Sequence, residues 1–206
     1  MIKKLLIASI LLVLSTFAFT ACAFAAEQPD ALVKRTYEDV LTVVKTDKDI
    51  QAGNTDKLLA LAQEKIAPNF NFEKVCRLVL GKNWTKATAD QKTAFQEEFR
   101  TLMIRTYASA LSKFKNQTIE YAPFKMADGA ATATVKSTIV QPGGPPIAVN
   151  YALEKQADAW KVYDIVIEGV SLVTNYRSQF AQEIRQNGLD SLIKKLADKN
   201  ATAKIK

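Results

Sequence analysis

Gly169-Val170-Ser171, at the end of an apolar run, is most of a G-x-S-x-G nucleophile elbow, the sharp turn that presents a serine for acyl transfer. The second glycine is missing, because Val173 stands in its place. The chain has no histidine, which removes the usual base for such a serine and most zinc sites with it. Ser171 therefore reads as the N-cap of a helix starting at Leu172, and Gly169 as the joint between strand and helix. Asp164 is the second candidate. It lies in WKVYDIVIEG among apolar neighbours, where a carboxylate must find donors or be raised in pKa. With Tyr151 or Tyr163 in an apolar pocket it would suit acid–base chemistry. Accepting hydrogen bonds from backbone or an arginine, it would instead tie the sheet to a helix. Glu168, at the strand end, reads as a cap or a surface ion-pair partner. Cys76 sits in an apolar helical pattern with Val75, Leu78 and Val79 and reads as a buried, inert thiol.

The elements that hold these residues follow from periodicity. Asp30 is a candidate cap for a helix over 30–46, with Leu32, Val33, Val40, Leu41 and Val44 as its apolar positions. Further helices are predicted over 55–66, ending before Pro68, and over 72–80, ending at Gly81. Thr88-Ala89-Asp90-Gln91 is a capping box. Phe95, Phe99, Leu102, Met103, Tyr107, Ala110, Leu111 and Phe114 then follow at spacings of three and four, an apolar face some five turns long. The composition next turns to Thr, Val, Ile and aromatics over 118–124, 130–140, 147–153 and 160–167. The breaks between these runs carry Asp128-Gly129, the PGGPP of 142–146, and Ala157-Asp158, so four strands form an antiparallel meander. The last strand is apolar on both faces apart from Lys161 and Asp164, which places it centrally and under cover. A stripe of Leu172, Tyr176, Phe180 and Ile184, a stop at Asn187-Gly188 and a final short helix complete an α+β plan.

The first residues read as a secretory signal. Lys3 and Lys4 precede an apolar run, and Ala23-Phe24-Ala25 offers small residues for cleavage, so residues 1–25 are expected to be removed and 26–206 to form one domain. The alternative is a lipoprotein site at Phe19-Thr20-Ala21-Cys22. Export implies a soluble protein, with a bacterial periplasm as its expected location. The net charge of +7 falls to +5 without the two signal lysines. That balance suits anionic lipid surfaces or acidic partners, or is simply a basic solvated surface. No basic cluster interleaved with aromatics points to nucleic acid.

VLGKNWTKATADQKTAFQEEF from Val79, QPGGPP from Gln141 and WKVYDIVIEGVSLVTNYRSQF from Trp160 together resemble the periplasmic phospholipid-binding family called MlaC, or toluene tolerance. The resemblance covers nearly the whole mature chain. It implies an NTF2-like cone, a curved four-stranded antiparallel sheet packed against helices, with an apolar pocket between them for the acyl chains of a glycerophospholipid. It implies a carrier, with phospholipid as cargo, no enzyme activity and no cofactor. The implied partners are an inner-membrane ABC transporter with an MCE-domain subunit and an outer-membrane lipoprotein–porin complex, and the expected state is a monomer. On this reading the pocket walls are the ends of elements: Val79, Leu80 and Trp84, Tyr107 and Leu111, Val149 and Tyr151, and Ile167, Val170, Leu172 and Tyr176. Lys82, Lys86 and Arg177 are candidate head-group contacts. A hopanoid-type cargo remains an alternative, as does a small acid–base enzyme built on Asp164.

Overall fold

In the computed structural model Pro29, not Asp30, opens the first helix. Proline is favoured there because the N–H it lacks would have no intrahelical partner. Helix α1 is Pro29–Thr46, and Asp30 lies inside its first turn, paired with Lys34 at 3.0 Å. The structure describes residues 27–112 and 116–202, with the side chains of Thr55 and of residues 108–112 excepted. The expected signal peptide, Cys22, Phe114 and the Leu111 side chain lie outside the described residues.

Asp47 caps a one-turn helix, α2, Lys48–Gln51, and Asn54 caps α3, Thr55–Leu61. The chain then widens into a π turn, Ala62–Ile66, and tightens into a 3-10 turn, Ala67–Asn69. Asn71 caps α4, Phe72–Leu80, which ends where Gly81 takes a φ of 53°. A short α5, Lys82–Lys86, precedes the capping box. There Gln91 N donates to Thr88 Oγ and Thr88 N to Gln91 Oε1, both at 3.1 Å, opening α6, Ala89–Ser112. Helices α2 and α5 are too short to leave a periodic signal.

The sheet has five strands where the sequence shows four. They are β1, Thr118–Tyr121; β2, Thr132–Val140; β3, Ile147–Gln156; β4, Ala159–Ile167; and β5, Val170–Ser171, in that order and all antiparallel. The addition is small. Glu168 (φ 49°) and Gly169 (φ 80°) form a two-residue turn that sets Val170 opposite Ile167. Two successive positive φ values are what a tight hairpin of this hand requires. Glu168 is held in that conformation from both ends: its N–H donates to Ala148 O at 2.9 Å, and its carboxylate accepts from Ala148 N.

Strand β4 is therefore not central, since only the two-residue β5 lies beyond it. Its two apolar faces have another cause. Val162 stands opposite Leu153 and Asp164 opposite Ala152, so Tyr163 has no partner and forms a bulge. A bulge re-aims the side chains on either side of it. Val162 and Ile165 pack with α1, while Tyr163 turns to the helices. Helices α7, Leu172–Asn187, and α8, Leu189–Thr202, are joined at Gly188 and close the fold.

Apolar packing falls into three clusters. One joins α4, α6, α7 and α8 around Phe95, Phe99 and Phe180. A second sets Leu32 and Val33 of α1 on Val135, Leu153, Trp160 and Val162 of the sheet. A third joins the later part of α1 to α2 and α3.

Candidate functional site

Between these clusters lies a cavity of about 250 Å³. Its walls come from every layer: Ala62, Ile66 and Ala67 of the π and 3-10 turns, Phe70, Phe72 and Val75 around α4, Phe99, Met103, Ile104 and Tyr107 of α6, Ile139, Val149 and Tyr151 of the sheet, the Tyr163–Ile165 stretch with Ile167, and Leu172, Val173 and Tyr176 of α7. The lining is aliphatic and aromatic, with Asp164 as its charged residue among the described residues.

Asp164 has both oxygens engaged. Ser171 Oγ donates to Oδ2 at 2.6 Å, and Val173 N donates to Oδ1 at 3.1 Å. Ser171 Oγ in turn accepts from Thr174 N at 3.0 Å. The two side chains thus cap α7 jointly, a carboxylate meeting the positive end of the helix. The elbow-like stretch positions the α7 wall of the cavity. Asp164→Ala is expected to lower unfolding free energy by about 2 kcal/mol, within the range for hydrogen bonds to a charged group, read as a lower urea midpoint at unchanged slope.

Two of the tyrosines in the cavity, Tyr107 and Tyr151, are held in their neutral form. Burial, with Tyr176 close by and hydrogen-bonded to it, pushes the Tyr107 phenol up to about 12. Burial also raises Tyr151. Neither supplies a base near neutrality. Cys76 is fully buried, and burial pushes its thiol up to about 12, where it is unreactive.

Of the expected wall residues, Tyr107, Val149, Tyr151, Ile167, Leu172 and Tyr176 line the cavity. Val79 and Leu80 do not, as they are buried in the α4–α6–α7 cluster against neighbouring rings. Trp84 packs on the outside of that cluster, with Lys92 Nζ 5.5 Å from its ring centre. Val170 is 57% exposed, outside the wall although its neighbours Ile167 and Leu172 are in it. Lys82 and Lys86 are exposed, and Arg177 lies against Gly81. None of the three lines the cavity. The residues before Phe72 were not anticipated, since no local pattern connects the π turn to a sheet that begins about fifty residues later.

Among the described residues no helix is long and apolar enough to cross a membrane, and no group of three or more His, Cys, Asp or Glu is placed to hold a metal ion.

The chain is similar to known proteins over most of its length. It is 29% identical over 190 residues to the toluene tolerance protein ttg2D of Pseudomonas putida, covering 91% of this chain and 88% of that one. It is 26% identical over 187 residues to the intermembrane phospholipid transport system binding protein MlaC of Haemophilus influenzae, covering 89% and 87%. A solved phospholipid-binding protein from Ralstonia solanacearum, in complex with a phospholipid, superposes with a TM-score of 0.78 at 39% identity, covering 84% of this chain and 96% of that one. The family model described as MlaC protein matches residues 34–198, and the chain belongs to the MlaC family.

Proposed function

We propose that the protein is a periplasmic carrier that holds the acyl chains of a glycerophospholipid in the cavity and moves the lipid between the outer and inner membranes. Residues 1–25 would direct export and be removed, leaving a single domain. The observation that carries the reading is the cavity itself: apolar on all sides, with Asp164, its one carboxylate among the described residues, already satisfied within the fold. Such a space selects a hydrocarbon rather than a polar substrate. The Ralstonia relative, bound to a phospholipid, supports it.

The physics of transfer agrees. Exposing a chain of about 15 methylenes to water costs on the order of 12 kcal/mol at ~0.8 kcal/mol per methylene. Two chains exceed the ~18–21 kcal/mol ceiling of non-covalent affinity. A carrier therefore competes with the bilayer by offering one apolar setting in exchange for another. Small affinity differences then decide delivery to an MCE-domain subunit of an ABC transporter or to an outer-membrane lipoprotein–porin complex. ATP hydrolysis would belong to the transporter.

Protein purified without detergent from a Gram-negative host should yield near-stoichiometric phospholipid on organic extraction and mass spectrometry. Folded protein that carries none, and takes up none from vesicles, would remove the reading. A hopanoid or other isoprenoid in the extract would replace the cargo and keep the carrier.

A further inference from the structure

The wall residues of the cavity stop along one line of the sheet. On β3, Val149 and Tyr151 line it and Leu153 does not; on β4, Tyr163, Ile165 and Ile167 line it and Val162 does not. Leu153 and Val162 are register partners, and both are buried against Leu32 and Val33 of α1. The space beyond Tyr151 is therefore filled. The opposite end differs. Ile139, Ile167 and Leu172 are half-buried there, Val170 opposite Ile167 is exposed, and so are residues 142–146 of the loop after β2. The cavity thus has a closed end near Tyr163 and an end facing solvent near Ile139.

The closed end is also where the helical layer is tied to the sheet. Lys161 Nζ donates to Pro68 O at 2.6 Å, Phe70 forms a β-bridge with Val162, and Asn71 N donates to Val162 O at 2.9 Å. Glu154 of β3 accepts from Asn71 Nδ2 at 2.7 Å and pairs with Lys74 Nζ. These ties gather three aromatic wall residues. Phe70 stacks on Phe72 with ring centres 5.6 Å apart, and Tyr163, aimed at the helices by its bulge, completes the end wall. Two of the rings are backed by cations. Lys74 Nζ lies 3.9 Å from the Tyr163 ring centre, and the Arg100 guanidinium 4.8 Å from that of Phe72. Neither cation lines the cavity, so each sits behind its ring. A cation on one ring face holds the ring in place without filling the space in front of it.

We propose that Phe70, Phe72 and Tyr163 are the floor at which the acyl chain ends, and that they set the longest chain the protein accepts, with Lys74 as the positioning residue behind Tyr163. The inference rests on the phospholipid reading of the cavity. Its consequence is a length cut-off. A methylene that leaves a bilayer for the cavity exchanges one apolar setting for another, so chains shorter than the cavity are bound without regard to length. Once the terminal methyl meets the floor, each further methylene stays in water at the open end. Binding should then fall about fourfold per methylene, the equilibrium equivalent of exposing one such group.

The protein is equilibrated with fluid vesicles containing equal amounts of phosphatidylethanolamines whose monounsaturated chains are graded in length, and the bound species are compared by mass spectrometry. Wild type is expected to take the shorter lipids in equal proportion and to show a steep cut-off above one length. Tyr163→Leu, which removes the far part of the ring, should raise the share of the first excluded lipid about tenfold, since it makes room for about two further methylenes. Phe70→Leu should do the same, and stands in if Tyr163→Leu does not fold. Lys74→Met keeps the aliphatic stem and loses the charge; it should blur the cut-off and leave the ratios among the shorter lipids unchanged. A general loosening of the fold would lower all the lipids together and leave their ratios alone. Flat ratios in wild type, or a cut-off at the same length in both floor variants, would overturn the floor. An equally steep cut-off in Lys74→Met would overturn its positioning role. Each of these leaves the carrier reading intact, whereas wild type that takes up none of the lipids would remove both.

Discussion

Met103→Glu is expected to lower phospholipid affinity by a hundredfold to a thousandfold near neutral pH while the lipid-free protein stays folded. Met103 is partly buried on the α6 face of the cavity. Glutamate is as good a helix former as methionine, so the backbone has no reason to change. In the empty cavity the carboxylate can be hydrated. An entering acyl chain must strip that water, and an unpaired carboxylate buried in hydrocarbon takes up a proton instead of remaining ionised. From an ordinary pKa of about 4.3, protonation near pH 7 costs roughly 4 kcal/mol, which bounds the loss at about a thousandfold. The sign of the pH dependence follows. The carboxyl is raised in the lipid-bound state, so each binding event takes up a proton. Affinity of the variant should rise close to tenfold for each unit of pH lowered, and level off as pH approaches the free-state value. Met103→Gln has no proton to gain and should show a smaller, pH-independent loss. Displacement of a fluorescent phospholipid across this pH range measures both variants. A Glu variant with wild-type affinity would place Met103 away from the chain.

Local chemistry was the most legible part of the sequence. The Thr88–Gln91 box, Ser171 as a cap and Gly81 as a stop involve residues within four positions of one another, and each forms as its residue types require. Asp164 was legible as a choice between chemistry and structure, and its two donors sit seven and nine residues on, within the same strand-to-helix turn. The cavity wall was half legible, for a reason of principle. Val79 and Tyr107 both fall on an apolar helical face, and periodicity gives each the same inward direction. Whether an inward side chain meets another side chain or an empty space depends on what lies opposite, and that comes from a distant part of the chain. Phe95, Phe99 and Phe180 fill the space opposite Val79. Tyr107 instead lines open space, with Ala62 and Ile66 of the π turn and Ile139, Val149 and Tyr151 of the sheet as the other walls. The bulge at Tyr163 was hidden for the same reason: β4 reads as apolar throughout, and only its register against β3 shows where the two faces exchange.

The division between core and cavity makes Phe95 the residue whose loss should cost the most stability. Its side chain is fully buried, its ring lies 5.4 Å from Phe99 in a stacked pair, and it meets Phe180 edge-on at 5.9 Å. Phe99 also packs edge-on against Phe180 at 5.4 Å and Tyr176 at 5.1 Å, so the ring cluster joins α6 to α7 directly behind the cavity wall. Phe95 is outside that wall, while Phe99 and Tyr176 are in it. Phe95→Ala should therefore lower unfolding free energy by about 3–5 kcal/mol, the usual cost of a phenylalanine-sized void in a packed core, through lost contacts and not through lost ligand. That is a large share of the ~5–15 kcal/mol a domain holds. Because Phe99 stacks on the vacated position and Tyr176 packs on Phe99, the void also frees two wall side chains to shift, and affinity should fall modestly with stability. Lipid bound to the folded state alone should recover about 2.7 kcal/mol at a hundredfold excess over its dissociation constant. Urea unfolding of Phe95→Ala with and without phospholipid reads both quantities. A loss below about 1 kcal/mol would mean that the ring cluster relaxes to fill the space, and that the helical layer behind the cavity is softer than its packing indicates.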